Sequence, residues 1–271
     1  MGSNTTRWFA IALAYGFVML SAAMGADQPR RFDGYKIIRV EVSSQNELEA
    51  LEQEVTTLLN CVHGVGLMDA LVSPDQFDAV AALRLPTQVV QDDVQAMVER
   101  ERAASSVAGA DPFADFFLAY HPYGSFDKSG TAPSGTILWY MNELVTRYPT
   151  LASFVDIGTT IEDRTIWGLR ISNDAIVDKP AVLYFGGEHA REWIGTTVPT
   201  YFATYLLENY GADPTATDLV DNVEFFLIPV FNVDGYIFSW ASPSNRFWRK
   251  NRRYNGGGTY GVDLNRNWAE G

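Results

Sequence analysis

The pattern of hydrophobic and polar positions divides residues 35–91 into short strands and helices. Residues 35–42 and 87–91 have the pattern of β-strands, and 64–72 has a weaker strand pattern. Ser44 caps a helix whose apolar positions recur at helical spacing: Leu48, Leu51, Val55 and Leu58. A second helix begins at Ser73–Pro74. The order β-α-β-α-β, with room for a fourth strand, predicts a small ferredoxin-like α+β unit.

A second unit begins near Phe116 and has longer apolar segments. An amphipathic helix is predicted over 136–148, ended by Pro149, and another helix over 192–209. Strands are predicted at 153–158, 165–172, 181–185 and 223–230. The continuous apolar run 181–185 and the mostly apolar 223–230 indicate burial. Strands that alternate with helices predict an α/β fold with a mixed, mostly parallel sheet and helices on both faces. Ligands of such folds bind at the carboxyl ends of the strands.

Residues 99–111 lose the apolar periodicity and indicate a connector, here assigned to 99–115, that is helical at first and then loose. Arg100 and Arg102 in this connector are expected to be accessible to a trypsin-like protease.

The N-terminus has the pattern of an export signal. Arg7 precedes the mostly apolar residues 8–20, and small residues follow at 21–26. This apolar run is short for a membrane span and suits a signal peptide cleaved after Gly25 or Ala26, although an uncleaved anchor is the alternative. A secreted protein is therefore expected. Cys61 is the only cysteine, which excludes an intrachain disulfide.

Composition excludes some classes of function. A hydrophobic content of 47% and a charged content of 20% are typical of a soluble globular protein. The net charge of −13 argues against a nucleic-acid partner. The acidic excess is uneven: residues 27–115 hold 16 acidic and 7 basic residues, a balance of −9.

One pair of side chains suits a catalytic metal. His189 and Glu192 follow the predicted strand 181–185 and lie three residues apart, so a helical turn would direct both at one ion. A catalytic Zn²⁺ takes three such ligands and keeps one open position. His-x-x-Glu alone is a weak signal, because a helix start with a surface Glu and an incidental His has the same pattern. Cys61 and His63 are interpreted as a buried thiol and an ordinary histidine.

Two later segments carry cationic groups. Residues 246–253 hold five cations, which suit a solvated loop, a polyanion site, or guanidinium groups directed at an oxyanion. Asn265 and Arg266 place an amide beside a guanidinium, a pair that could bind a free carboxylate.

Together these motifs resemble the zinc metallocarboxypeptidases of the carboxypeptidase A/B type. The matching stretches are Gly-Gly-Glu-His-Ala-Arg-Glu-Trp at 186–193, Asn-Val-Asp-Gly-Tyr at 232–236, Arg-Phe-Trp-Arg-Lys-Asn-Arg at 246–252 and Gly-Val-Asp-Leu-Asn-Arg-Asn-Trp at 261–268. After the signal peptide at 1–26, the resemblance implies an inhibitory prosegment at 27–98, an activation connector at 99–115 and the start of a catalytic domain at 116–271.

The resemblance also implies the roles of individual residues. His189 and Glu192 would bind Zn²⁺, and Arg249 would polarise the scissile carbonyl. Asn265 and Arg266 would bind the substrate's terminal carboxylate, and Arg191 would line an outer subsite. The implied partners are peptide or protein C-termini and an intramolecularly bound prosegment, in a monomer without a membrane partner.

The family's third zinc ligand and its general base are expected downstream of Asn265–Arg266. His63 and His121 lie upstream and match neither position. The sequence is therefore interpreted as the N-terminal part of a procarboxypeptidase, inactive as it stands. A non-catalytic carboxypeptidase-like binding protein and a zinc deacylase of related fold are the alternatives. The acidic excess further suggests that prosegment carboxylates cover Arg191, Arg266 and the basic run 246–253, a contact that salt would weaken.

Overall fold

The computed structural model describes residues 32–106, 111–266 and 268. The predicted signal peptide at 1–26 lies outside these residues and stays a prediction. None of the helices in the described part combines the length and the apolar character that crossing a bilayer requires.

Residues 32–106, here called the N-terminal unit, form a four-stranded antiparallel sheet with helices. Its elements are Lys36–Val42 (β1), Gln45–Glu54 (α1), Thr57–Leu58 (β2), Gly66–Val72 (β3), Pro74–Ala82 (α2), Thr87–Gln91 (β4) and Val94–Ser106 (α3). The strand order is β2-β3-β1-β4, and the succession β-α-β-β-α-β is that of a ferredoxin-like unit. The short β2 is the fourth strand for which the sequence left room.

Helix caps explain why α1 and α2 begin where they do. The Ser44 hydroxyl accepts a hydrogen bond from the Glu47 amide, and Ser73 and Gln76 form a reciprocal capping box before Pro74. Val55 ends α1, so Leu58 belongs to β2 and not to the helix in which its spacing had placed it.

Residues from Asp111 onward, here called the C-terminal unit, contain a second four-stranded sheet. Its helices and strands are Ile137–Arg147 (α4), Ala152–Thr159 (β5), Thr165–Ile171 (β6), Ala181–Phe185 (β7), Ile194–Asn209 (α5), Pro214–Asn222 (α6), Glu224–Ile228 (β8), Val233–Ala241 (α7), Tyr254–Gly256 (β9) and Thr259–Tyr260 (β10). Short 3-10 turns lie at Phe116–Leu118, Pro243–Asn245 and Leu264–Arg266. One core unites side chains from helices and strands, among them Leu138, Met141, Leu169, Leu206 and Leu227.

The sheet order β5-β6-β8-β7 corrects the prediction of a mostly parallel sheet. Only β7 and β8 pair in parallel among the described strands, whereas β5–β6 and β6–β8 are antiparallel. The short turn between Thr159 and Thr165 leaves β5 and β6 no room for a crossover, so they must form a hairpin.

The prediction that 181–185 is buried was wrong, although the strand has the predicted bounds. Within the described residues β7 pairs only with β8 and forms the sheet edge. Val182, Leu183 and Tyr184 are exposed, Leu183 by 60%. A continuous apolar run predicts the strand but does not tell an edge from a centre.

Candidate metal and substrate site

The site lies where the parallel strands β7 and β8 end. Phe185 pairs with Ile228, so the chain leaves both strands at the same edge of the sheet. The amide of Phe231 donates to the Gly186 carbonyl (2.9 Å), and the amide of Asn232 donates to the Gly187 carbonyl (3.1 Å). These bonds hold the start of the predicted metal motif against the segment after β8.

Glycine is required at the first turn of this motif. A Cβ on Gly186 would lie 2.0 Å from the carbonyl oxygen of Gly195, and Gly187 has a φ of +63°. The chain then turns, and the Glu192 amide donates to the His189 carbonyl (3.1 Å). This turn directs both predicted ligand side chains to the same place.

His189 and Glu192 are in direct contact, as the sequence predicted. His189 is 3% exposed, and its Nδ1 lies 3.1 Å from Oε1 of Glu192. The second ring nitrogen, Nε2, lies 3.0 Å from Oδ1 of Asp263. An imidazole that donates Nε2–H to Asp263 keeps the Nδ1 lone pair for a metal ion.

Arg249 joins the same network from the basic run. Its Nε donates to Oδ2 of Asp263 (3.0 Å), and its Nη1 donates to Oε1 of Glu192 (3.3 Å). The backbone fixes this approach, because the Ala190 amide donates to the Arg249 carbonyl (2.9 Å). The structure therefore brings the candidate oxyanion residue to the candidate ligands.

The two carboxylates are held in their charged form. Burial alone would raise the pKa of Glu192, but hydrogen bonds from His189 and Cys61 and the Arg249 charge lower it below its ordinary value. Burial likewise opposes the charge of Asp263, yet bonds from Arg249 and His189 lower its pKa. Both groups are thus available as anions, the form that binds a metal or orients an imidazole.

The remaining predicted residues surround this network. Arg191 is 6% exposed, and burial and the nearby Arg249 charge lower its pKa to about 10. Asn265 and Arg266 are exposed on the 3-10 turn after Asp263, and the Asn265 amide donates to Oδ1 of Asp263 (3.0 Å). His121 lies elsewhere, between the carbonyl oxygens of Phe116 and Gly135.

Trp193, the last residue of the motif, anchors the site to the core. Its indole stacks on Trp240 at a centroid distance of 3.9 Å, and the guanidinium of Arg246 lies 3.9 Å from the Trp193 ring. Arg246 also donates to both carboxylate oxygens of Glu101 (2.6 and 3.1 Å). The candidate site is thereby connected to α3 of the N-terminal unit.

The N-terminal unit covers the site mainly with main-chain oxygens. The Leu58 carbonyl accepts from Arg191 (2.9 Å), and the Cys61 carbonyl accepts from Arg266 (2.8 Å) and Arg249 (3.4 Å). The hypothesis that prosegment carboxylates cover these guanidinium groups was therefore wrong for these contacts. Among the described ion pairs, Glu101–Arg246 is the one in which a carboxylate of the N-terminal unit contacts the basic run 246–253.

Sequence reasoning missed Asp263 and misplaced Cys61. Asp263 lies within a recognised motif, but only the fold shows that its carboxylate bridges His189 and Arg249. Cys61 was interpreted as a buried thiol, whereas it is exposed and its Sγ lies 3.2 Å from Oε1 of Glu192. Its approach to a residue 131 positions away depends on how the two units dock, which no local pattern encodes.

A cavity of about 530 Å³ lies beside the site, between the two units. Its lining includes Phe32 and Leu71 from the N-terminal unit and Arg191, Phe247 and Arg249 from the C-terminal unit. Phe247 packs edge-to-face on Phe32 at a centroid distance of 5.2 Å. An apolar contact therefore accompanies the polar ones where the units meet.

The family model and the similar proteins agree on one family. Residues 137–271 match the Peptidase_M14 family, described as zinc carboxypeptidase. Carboxypeptidase A1 of Mus musculus is 30% identical over 93% of this chain and 59% of its own length. Metallocarboxypeptidase A of Arthroderma otae is 32% identical over 92% of this chain and 58% of its own length. The chain thus spans less than two thirds of these relatives.

Solved structures share the fold. Carboxypeptidase A from Helicoverpa armigera superposes with a TM-score of 0.67 and 25% identity, covering 88% of this chain and 58% of the other. Thrombin activatable fibrinolysis inhibitor gives a TM-score of 0.72 at 23% identity, over 86% of this chain and 58% of the other, which supports the fold alone.

Proposed function

This chain belongs to the zinc carboxypeptidase family, and we propose that it provides the metal residues and substrate clamp of a secreted metallocarboxypeptidase zymogen. The reaction is hydrolysis of the C-terminal peptide bond of peptides and proteins. It is an activity of the whole protein, since the matched relatives are longer than this chain. Residues 27–98 act as the inhibitory prosegment and 99–115 as the activation segment.

The observation that carries the proposal is the pair His189 Nδ1 and Glu192 Oε1, 3.1 Å apart, with Nε2 directed at Asp263. Two ligand atoms about 2.0–2.2 Å from one tetrahedral Zn²⁺ lie roughly 3.3–3.5 Å apart. The residues therefore fit Zn²⁺, the cofactor of this family.

When bound, the metal supplies Lewis-acid chemistry and favours deprotonation of water. Arg249 holds its guanidinium beside Glu192 and would stabilise negative charge that develops on the carbonyl oxygen. Asn265 and Arg266, exposed next to this group, would bind the terminal carboxylate, which restricts cleavage to the last peptide bond. Arg191 would contact the substrate further from that bond.

The contacts of the N-terminal unit would keep the zymogen inactive. Arg191, Arg249 and Arg266 each donate to a main-chain oxygen of that unit. A substrate that needs the same guanidinium groups cannot bind while these contacts persist. Removal of the N-terminal unit would expose all three.

The experiment uses the protein as it is naturally produced, after activation by limited trypsin treatment. It should release single residues from the C-terminus of a peptide, and it should leave the same peptide intact when the C-terminus is amidated. Arg249→Ala should lower kcat about 10²–10³-fold, and Arg266→Ala should mainly raise KM.

The matched control is Arg253→Ala, which removes an exposed charge from the same basic run and should change neither constant. Equal cleavage of the free and the amidated peptide, or an unchanged kcat in Arg249→Ala, would contradict the proposal.

A further inference from the structure

Cys61 lies at the candidate metal residues although it belongs to the N-terminal unit. It follows β2 in the loop before β3, and its thiol donates to Oε1 of Glu192 at 3.2 Å. One ligand atom from each of Cys61, His189 and Glu192 lies within 4.8 Å of the other two. In the part of the chain that the structure describes, these three residues form the one cluster of this kind.

We propose that the Cys61 thiolate is a zinc ligand of the latent protein, together with His189 and Glu192. This inference rests on the proposed function, because it assumes the zinc site described above. Thiolate, imidazole and carboxylate are all zinc donors. Cys61 Sγ and His189 Nδ1 lie 3.2 Å and 3.1 Å from Oε1 of Glu192, and two ligand atoms of one tetrahedral Zn²⁺ lie roughly 3.3–3.6 Å apart. Binding replaces the thiol S–H by an S–Zn bond and releases one proton to solvent.

The loop that carries Cys61 is held in place by hydrogen bonds. The Cys61 carbonyl accepts from Arg266 at 2.8 Å, and the Leu58 carbonyl accepts from Arg191 at 2.9 Å. Asn60 fixes the turn between them, since its Oδ1 accepts from the Asp69 amide at 2.6 Å. The thiol is thus positioned by contacts that do not depend on the ion, which lowers the entropic cost of its coordination.

A thiolate ligand would inhibit the zymogen in a second way. Catalytic zinc sites keep one coordination position for water, whereas sites with four protein ligands are structural. Together with the third ligand that the family resemblance implies, Cys61 would be a fourth protein ligand and take the position that hydrolysis needs, while its carbonyl occupies Arg249 and Arg266. Cleavage in the connector and departure of the N-terminal unit would remove both obstacles in one step.

The test compares the whole latent protein with its Cys61→Ser variant, which keeps the loop backbone and removes the sulfur. Each protein is freed of metal and loaded with Co²⁺ or Zn²⁺ alone. The readouts are the near-ultraviolet absorption of a thiolate–Co²⁺ bond and the Zn²⁺ affinity in competition with a chromophoric chelator. His63→Ala is the matched control, because it alters an exposed residue of the same loop. His189→Ala removes the metal site itself.

The wild type and His63→Ala should show the thiolate absorption, and Cys61→Ser should lack it. Cys61→Ser should also bind Zn²⁺ at least about 100-fold more weakly, because losing a residue that bonds to the metal should cost more than losing one that only hydrogen-bonds to a ligand. Zn²⁺ should also protect wild-type Cys61 from alkylation by iodoacetamide. The inference is wrong if the wild type shows no thiolate absorption, if wild type and Cys61→Ser bind Zn²⁺ equally well, and if only His189→Ala loses Zn²⁺ binding. That result would still support the zinc site of the proposed function. Absence of Zn²⁺ binding in the wild type overturns both.

Discussion

Oδ1 of Asp263 lies 3.0 Å from Nε2 of His189, and the same carboxylate holds Nε of Arg249 through its other oxygen. One side chain therefore orients both the imidazole proposed to bind zinc and the guanidinium proposed to stabilise the oxyanion. The motif that contains Asp263 is thus tied to the ligand pair through hydrogen bonds and not only through the course of the chain.

Asp263→Asn should weaken Zn²⁺ binding about 10–100-fold, because the amide no longer provides a charged acceptor for Nε2–H of His189. Chelator competition measures the affinity. Asp218→Asn makes the same chemical change at an exposed position of α6 and should leave the affinity as it is. Equal affinities in all three proteins would show that Asp263 does not act on the metal site.

Glu101→Gln should destabilise the docking of α3 on the C-terminal unit. Arg246 is 8% exposed and loses a bidentate charged partner, which costs about 1.5–3 kcal/mol for hydrogen bonds to a charged group. Urea unfolding measures the loss. Asp78→Asn removes one exposed charge from α2 and should have little effect; a loss of the same size there would assign the effect to net charge instead.

Limited trypsin digestion should cut the connector first after Arg100. Arg100 is exposed, whereas the guanidinium of Arg102 donates to the Trp240 carbonyl at 2.9 Å and is partly buried. Because α3 must open locally before cleavage, the cut should be slow. Mass spectrometry identifies the first product, and Arg100→Gln should delay it. An early product ending at Arg102 in the wild type would refute this order.

Gly186→Ala should destabilise the protein by about 1–3 kcal/mol, the usual cost of overpacking. The new methyl group would meet the Gly195 carbonyl oxygen at 2.0 Å, and main chain cannot move aside as a flexible side chain can. Thermal unfolding checks this expectation. A Cβ on Gly64 meets nothing within 4 Å, so Gly64→Ala is the control and should unfold near the wild-type temperature.

The local features of this fold could be predicted from the sequence, because their causes lie within a few residues. The predicted caps at Ser44 and Ser73 determine where α1 and α2 begin. The turn that brings Glu192 to His189 depends on residues three apart. For the same reason the strands at 153–158 and 165–172 were predicted nearly to their bounds, and the structure gives Ala152–Thr159 and Thr165–Ile171.

Features that depend on distant parts of the chain could not be predicted in the same way. The exposure of Leu183 depends on which strand neighbours β7 and not on its own hydrophobicity. The position of Cys61 depends on carbonyl contacts with Arg249 and Arg266, and every residue type supplies a carbonyl. The net charge of the sequence predicted contacts from carboxylates, because main-chain oxygens carry no formal charge and do not enter a charge count.

The stack of Trp193, Trp240 and Arg246 gives the molecule an intrinsic optical reporter. Two indoles 3.9 Å apart at an interplanar angle of 8° should couple electronically, and Arg246 connects them to Glu101 on α3. Departure of α3 would free Arg246 to shift over the Trp193 ring. Near-ultraviolet circular dichroism and tryptophan emission should therefore follow activation in real time, without a label.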